Sequence, residues 1–147
     1  ALVSELEARI SASRERAAAR IASRGCRPRV YFEEWDDPHI TAVQWVSELI
    51  EVAGGSNVFA ERAASPLARD RIIADPLEVV RRDPEVIIGS WCGKRFRPEN
   101  VATRPGWADV SAVRSSRLHE IKSAVILTPG IVAIREGLPQ LEKILDL

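Results

Sequence analysis

The chain has 147 residues, 46% of them hydrophobic, and its 21 basic and 21 acidic side chains give a formal net charge of zero. This length supports one domain with a hydrophobic core. A neutral balance argues against nucleic-acid binding, which requires a basic face, and against a polybasic membrane anchor. No apolar run approaches the roughly 20 residues that a membrane helix needs.

The first predicted element is one long helix over residues 2–24. Gly25 suits the position that follows a helix end. The arginines on the other faces are balanced by glutamates, which indicates a solvated surface rather than a nucleic-acid patch. A narrow apolar stripe recurs at spacings of three and four, formed by Leu2, Leu6, Ile10, Ser13, Ala17 and Ile21.

The next segment predicts a strand, a polar loop, a helix and a glycine turn. Val30-Tyr31-Phe32 is the strand, and residues 33–39 form the loop, with four carboxylates, an indole and an imidazole. The helix is predicted to begin at Pro38 or at Thr41, since each position carries a start signal, and to end at Ala53. Gly54 and Gly55 then stop it.

The second half of the chain alternates short helices and strands. Residues 60–74 have no clean period and predict a loop with a possible turn of helix, a candidate functional surface. A final helix is predicted to end near Asp146 and to kink or split at Pro139. The other predicted elements are a brief strand at 57–59, helices at 77–82 and 98–103, and strands at 86–88 and 118–121.

This alternation predicts an α/β fold: a three-layer αβα arrangement, Rossmann-like, with a small, mostly parallel sheet preceded by the long helix. Right-handed crossovers bring the carboxyl ends of parallel strands to one edge of the sheet. The loops at 33–39, 60–70 and 89–97 are therefore expected to share that edge. Ligands of open α/β sheets bind there.

Two tryptophans follow predicted strands and are candidate ligand contacts. Trp35 lies among acids and Pro38, a composition poor for a core, so its ring is equally a structural element or a flat apolar face for a macrocycle. Trp91 follows the predicted strand at 86–88 in the same way. Trp45 and Trp107 are expected to pack in the core or in a turn.

The acidic loop also offers possible metal ligands. His39 with Asp36 and Asp37 has the chemistry for iron or zinc, or for axial ligation of a corrin or haem metal, but no ligand spacing accompanies it. A capping or solvated histidine is the favoured interpretation. Glu33 and Glu34 are predicted to point to opposite faces of a strand. One of them is expected to bind a ligand or, as the alternative, to form a salt bridge with Arg29 or Arg95.

The loop after the predicted strand at 86–88 combines a thiol with basic side chains. Cys92 has no neighbouring base, which disfavours a nucleophile, and the two cysteines, Cys26 and Cys92, are expected to be free thiols. Lys94, Arg95 and Arg97 either meet phosphate or propionate groups of a ligand or pair with the acidic loop.

Several stretches resemble the second lobe of class III periplasmic substrate-binding proteins, which serve ABC importers for vitamin B12, haem, iron–siderophores and some metals. The resemblance runs from about Arg29 onward, and residues 1–25 resemble the helix that joins the two lobes of such proteins. EEWDDP and SWCGK are similar to cobalamin-binding members. The other stretches that carry it are WVSELIEVAGGSNVF, DPLEVVRRDPEVII, RPGWADVSAVRSSRLHEI and ILTPGIVAIREGLPQLEKIL.

The resemblance implies that residues 26–147 are the C-terminal lobe of a solute-binding protein, without its N-terminal lobe. The absence of methionine likewise suggests a mature product or a fragment. The implied ligand is cobalamin or another tetrapyrrole or metal chelate, bound between lobes by Trp35, Asp36, Asp37, His39, Trp91, Cys92 and Arg95. No enzymatic activity, cofactor or protein-bound metal is implied.

The implied partner is an ABC permease, and the implied location is extracytoplasmic, periplasmic or lipid-anchored, with the cytoplasm as the alternative. Family members dock through a glutamate where this chain has Leu77, so Asp75 or Glu78 is expected to substitute. The loop at 61–73 also lacks the tryptophan that corrinoid binders carry there. Two other functions remain open: a small α/β enzyme using the loops after strands 30–32 and 86–88, and a lobe that forms a homodimer.

Overall fold

The computed structural model describes residues 1–147 and has an α/β fold. The strands are β1 (Arg29–Asp36), β2 (His39–Thr41), β3 (Ser56–Asn57), β4 (Val86–Gly89) and β5 (Leu118–Glu120). The helices are α1 (Leu2–Arg24), α2 (Gln44–Val52), α3 (Ala60–Ala63), α4 (Leu77–Arg82), α5 (Pro98–Ala102), α6 (Ser111–Arg114), α7 (Ser123–Ile126) and α8 (Leu138–Leu145). A 3-10 turn lies at Ala68–Arg71 and a π-helical turn at Ala133–Gly137.

The sheet is mostly parallel, as the sequence predicts. Its order is β2-β1-β4-β5, and β3 pairs with the beginning of β1. β1 is parallel to β3 and to β4, and β4 is parallel to β5. The carboxyl ends of β1, β4 and β5 therefore lie along one edge.

The prediction of a polar loop at 33–39 is wrong, because the backbone there forms a β-hairpin. β1 continues through the acidic residues to Asp36, turns at Asp37-Pro38, and pairs antiparallel with β2. The register shifts between Glu33 and Trp35, which marks a bulge. Because residues 39–41 belong to this hairpin, α2 begins only at Gln44, later than either predicted start.

Two apolar clusters, one on each face of the sheet, give the predicted three layers. Val30, Phe32 and Ile88 face the cluster that includes α2 and α8. Tyr31 and Ile87, at the alternate positions, face the cluster that includes α4 and α5. This follows from strand geometry, in which successive side chains point to opposite faces.

The long helix α1 packs against the lobe through small residues and ion pairs. Ser13 and Ala17 are its buried positions, and Ala17 lies against Gly54, where an added Cβ would be 3.1 Å from the Ala17 Cβ. Arg16 forms a bidentate ion pair with Glu142, with both nitrogen–oxygen distances at 2.9 Å. No helix of the structure is long and apolar enough to cross a membrane.

The last helical segment runs unbroken from residue 131 to Leu145, so the predicted split at Pro139 is wrong. A π-helical turn occupies Ala133–Gly137, and α8 starts at Leu138 with Pro139 in its first turn. A proline lacks the backbone N–H that an α-helix interior uses, and the π-helical turn lies directly before Pro139 in this segment.

Candidate functional site

The hairpin of β1 and β2 lies beside the loop that follows β4, at the carboxyl edge of the sheet. Ser90 N donates to Glu33 O at 2.9 Å, and Lys94 Nζ donates to a carboxylate oxygen of Asp36 at 2.8 Å. The structure therefore brings together two of the three loops that the sequence expected to share this edge. We call the surface formed by residues 33–39 and 89–97 the carboxyl-edge wall.

Beneath this surface, Glu33 is a buried carboxylate with all its acceptor sites occupied. Its side chain is 1% exposed and forms a bidentate ion pair with Arg104 at 2.8 and 2.9 Å. The Tyr31 hydroxyl donates to Oε2 at 2.6 Å, and the Trp91 indole N–H donates to Oε1 at 3.0 Å. Burial, and then the nearby Glu33 carboxylate, raises the pKa of Tyr31.

Glu34 points to the other side of β1 and has its own arginine. Arg71 Nη1 lies 2.8 Å from Glu34 Oε2 and 2.7 Å from the carbonyl oxygen of Thr41. A second Glu34 contact comes from the backbone N–H of Val43, at 2.9 Å. Arg71 is 4% exposed and also donates to Ser65 O, so it connects the segment at 60–73 to the hairpin.

The salt-bridge partners expected for these glutamates, Arg29 and Arg95, were wrong. Arg29 pairs with Glu85 and Asp83 at the opposite edge of the sheet, and Arg95 is exposed. The actual partners, Arg71 and Arg104, are distant in sequence and carry no motif. The one signal available was that two adjacent glutamates on a buried strand each require a cation.

Trp35 is half-buried at the outer end of β1. Its indole N–H donates to the carbonyl oxygen of Asp37 at 2.9 Å, which fixes the ring across the hairpin turn. The ammonium of Lys94 lies 4.6 Å from the ring centroid. The indole thus lies at the surface of the wall, but one face already holds a cation.

His39 occupies β2 rather than a helix cap. Its Nδ1 lies 2.6 Å from the carbonyl oxygen of Asp36, and since a carbonyl only accepts, Nδ1 carries the proton. In the neutral ring the lone pair is then on Nε2, the atom that would ligate a metal. The ring packs 5.9 Å from that of Trp107, and no group of three metal-ligating side chains is present.

The remaining predicted ligand contacts differ in accessibility. Trp91 is 3% exposed, and its ring packs edge-on against Phe96 with centroids 4.9 Å apart, so it presents no open face. Cys92 and Arg95 are exposed in the loop after β4. Asp37 is exposed at the hairpin turn.

Asp75 and Glu78 are not wall residues and lie at the start of α4, shortly after Ile73, whose N–H donates to the carbonyl oxygen of His39 at 2.8 Å. Both carboxylates bind Arg81 at 2.9 and 2.7 Å, and Glu78 also binds Arg82. The hydrogen bonds from Arg81 are the largest cause of the lowered pKa of each acid. The Asp75 side chain is 55% exposed, so this charged cluster is accessible from solvent.

A family model described as "periplasmic binding protein" matches residues 3–125 of the chain. No curated protein matches this chain. Solved structures do match, and the chain spans about half the length of each.

The periplasmic heme-binding protein of Roseiflexus sp. RS-1, in its apo form, is 25% identical with a TM-score of 0.74, and 99% of this chain covers 54% of that one. The periplasmic vitamin B12 binding protein of Vibrio cholerae is 21% identical with a TM-score of 0.66, over 95% of this chain and 50% of that one. A protein of an ABC-type Fe3+-hydroxamate transport system from Saccharomonospora viridis is 20% identical with a TM-score of 0.71, over 97% and 47%. At these identities the likeness to the last two shows the fold alone.

Proposed function

The chain belongs to the periplasmic binding protein family, and we propose that it forms one lobe of the solute-binding component of an ABC importer. The proposed ligand is a corrinoid, haem or iron-chelate molecule. The observation that supports this choice is the carboxyl-edge wall, where the half-buried Trp35 indole lies among charged side chains on a rigid hairpin. Flat macrocycles with polar rims match such a surface.

The wall is built to hold its shape before a ligand arrives. Glu33 with Arg104 fixes the hairpin to the segment after α5, and Glu34 with Arg71 fixes it to the segment before α4. Both pairs are largely buried, and their hydrogen bonds join segments that are distant in sequence. Preorganisation lowers the conformational cost of binding. The proposed mechanism is capture of the ligand between this wall and a second lobe, with no bond made or broken.

Delivery to the permease is proposed to use the acidic start of α4. Asp75 and Glu78 are exposed in part and are not among the wall residues, so docking uses side chains other than those proposed to meet the ligand. Their present partner, Arg81, can be replaced by a basic group of the permease. This role places the protein outside the cytoplasm, as in its family. No relative supports a homodimer, and we do not propose one.

Thermal unfolding with and without ligand tests this function. A ligand that binds only the folded state increases the free energy of unfolding by RT ln(1 + [L]/Kd), and this raises the unfolding midpoint. We expect cyanocobalamin, hemin or a ferric hydroxamate to raise the midpoint of this chain in a concentration-dependent way. Absence of a shift with all three at millimolar concentration would remove this ligand class.

A further inference from the structure

Lys94 occupies the place on the carboxyl-edge wall where a ligand would meet Trp35. Its ammonium lies 4.6 Å from the centroid of the Trp35 ring and 5.3 Å from that of Trp91. The same atom lies 2.7 Å from Asp36 Oδ1. Two indoles and a carboxylate thus surround one cation, which is the composition of a cation-binding site.

This cation can move away. The Lys94 side chain is 43% exposed, on a flexible four-carbon stem. Gly93 before it has φ +75°, and a Cβ built there would meet nothing within 4 Å, so this part of the loop is open to solvent. An exposed ion pair is worth little, about 1 kcal/mol or less.

We infer that Lys94 is a gate over the Trp35 face, and that the ligand that opens it is a flat ring with anionic groups on its rim. An ammonium that leaves Asp36 needs a new anion, and a carboxylate or phosphate on the ring supplies one. Arg95, exposed beside Lys94, adds a second cation for such groups. This inference rests on the proposed function, because it takes Trp35 as the face that meets the ligand.

The gate also determines which ligands are rejected. With Lys94 in place, a cationic ring must compete with the lysine ammonium for the indole and for Asp36. Without Lys94, the indole would lose the ammonium over its ring, and the Asp36 carboxylate would lose its cation. Removal of this one side chain is therefore expected to reverse the charge preference of the wall.

Two porphyrins with the same ring and opposite rim charge test the gate. Tetra-anionic carboxyphenyl porphyrin and tetra-cationic N-methylpyridyl porphyrin are titrated into the 147-residue chain and into Lys94→Ala at low salt, with absorbance as the readout. We expect the substitution to tighten binding of the cationic ring about tenfold and to weaken binding of the anionic ring about tenfold. Lys143→Ala, which removes an exposed lysine on α8 outside the wall, is the matched control and should change both affinities less than threefold.

A change in the same direction for both rings, a change below threefold for both, or no binding of either ring by either protein would overturn the gate. Equal effects from Lys143→Ala would also overturn it, since net charge alone would then explain the result. If the charge preference reverses while cobalamin, hemin and the ferric hydroxamate give no thermal shift, the gate stands and the proposed ligand class fails. The two failures are thus distinguishable.

Discussion

Glu33 and Arg104 are joined by two parallel hydrogen bonds of 2.8 and 2.9 Å, across 71 positions of sequence. The guanidinium also lies 4.7 Å from the centroid of the Trp107 ring. This pair connects the strand that carries the carboxyl-edge wall to the segment after α5. Because the pair holds charge in the interior, removal of one partner is expected to lower the free energy of unfolding strongly.

Arg104→Ala is expected to lower the free energy of unfolding by about 3 kcal/mol, because it leaves the Glu33 carboxylate buried without a cation. Urea denaturation at neutral pH measures this. Arg97→Ala is the control, since Arg97 is exposed and lies 3.8 Å from Glu99, and it should change stability by less than about 0.5 kcal/mol. Equal effects of the two substitutions would show that the buried pair contributes nothing special.

Gly89→Ala is expected to destabilise the fold by about 1–3 kcal/mol or more, because the new Cβ would lie 1.9 Å from Phe96 Cδ1 on a buried strand end. The same substitution at Gly137 is the control. There the new Cβ meets Ile126 at 3.5 Å, an ordinary contact within a helical segment, so stability should rise by about 0.5–1 kcal/mol. Thermal unfolding compares them, and a neutral Gly89→Ala would contradict the close Phe96 contact.

Glu142 is expected to stabilise α1 on the lobe in a pH-dependent way. Hydrogen bonds from Arg16 lower the pKa of Glu142 below 4.5, although burial opposes the shift. The unfolded chain therefore binds this proton at a higher pH than the folded chain does, so the stabilisation is full above the unfolded pKa and is lost as the pH falls through the folded pKa.

Glu142→Gln should accordingly cost about 1 kcal/mol at pH 7, and the cost should shrink as the pH falls below about 4.5. Urea unfolding at a series of pH values measures the difference. Glu136→Gln, at an exposed position of the π-helical turn, should show no such trend. A cost for Glu142→Gln that stays constant down to the acid transition would be the contrary result.

The joint substitution Asp75→Asn and Glu78→Gln is expected to weaken association with the permease about tenfold, because it removes both acids of the proposed docking cluster. Binding to vesicles that contain the importer measures this. Glu99→Gln, an exposed acid on α5, is the control. If the double variant associates with the permease as tightly as the wild type, Asp75 and Glu78 do not form the docking surface.

Local pattern was enough to predict most of the scaffold. The β-branched run at Val86, Ile87 and Ile88 predicted a strand buried on both faces, and all three residues are buried in β4. Asp75 and Pro76 predicted the start of the helix at 77–82, which is α4. Both depend on near neighbours, which a sequence shows directly.

The interior of the site could not be predicted in this way. Glu33 and Glu34 looked like loop residues because their charges are compensated only in the folded chain, by Arg104 and Arg71. That compensation allows β1 to continue through an acidic sequence. Pairing of Lys94 with the acidic loop was one predicted alternative, and Lys94 does pair with Asp36. Its position over the Trp35 ring, however, is indicated by no spacing in the sequence.

Isothermal titration of hemin and cyanocobalamin into the wild-type chain and Trp35→Ala tests most directly whether the carboxyl-edge wall takes up a ligand. Trp45→Phe is the control, because Trp45 is also half-buried but lies on α2 and packs against the core cluster that includes α2 and α8. We predict that at least one ligand binds, that Trp35→Ala weakens it about tenfold, equal to 1.4 kcal/mol, and that Trp45→Phe does not. Binding that is equally tight in the wild type and in Trp35→Ala, or no binding of either ligand, would contradict the proposed role of the wall.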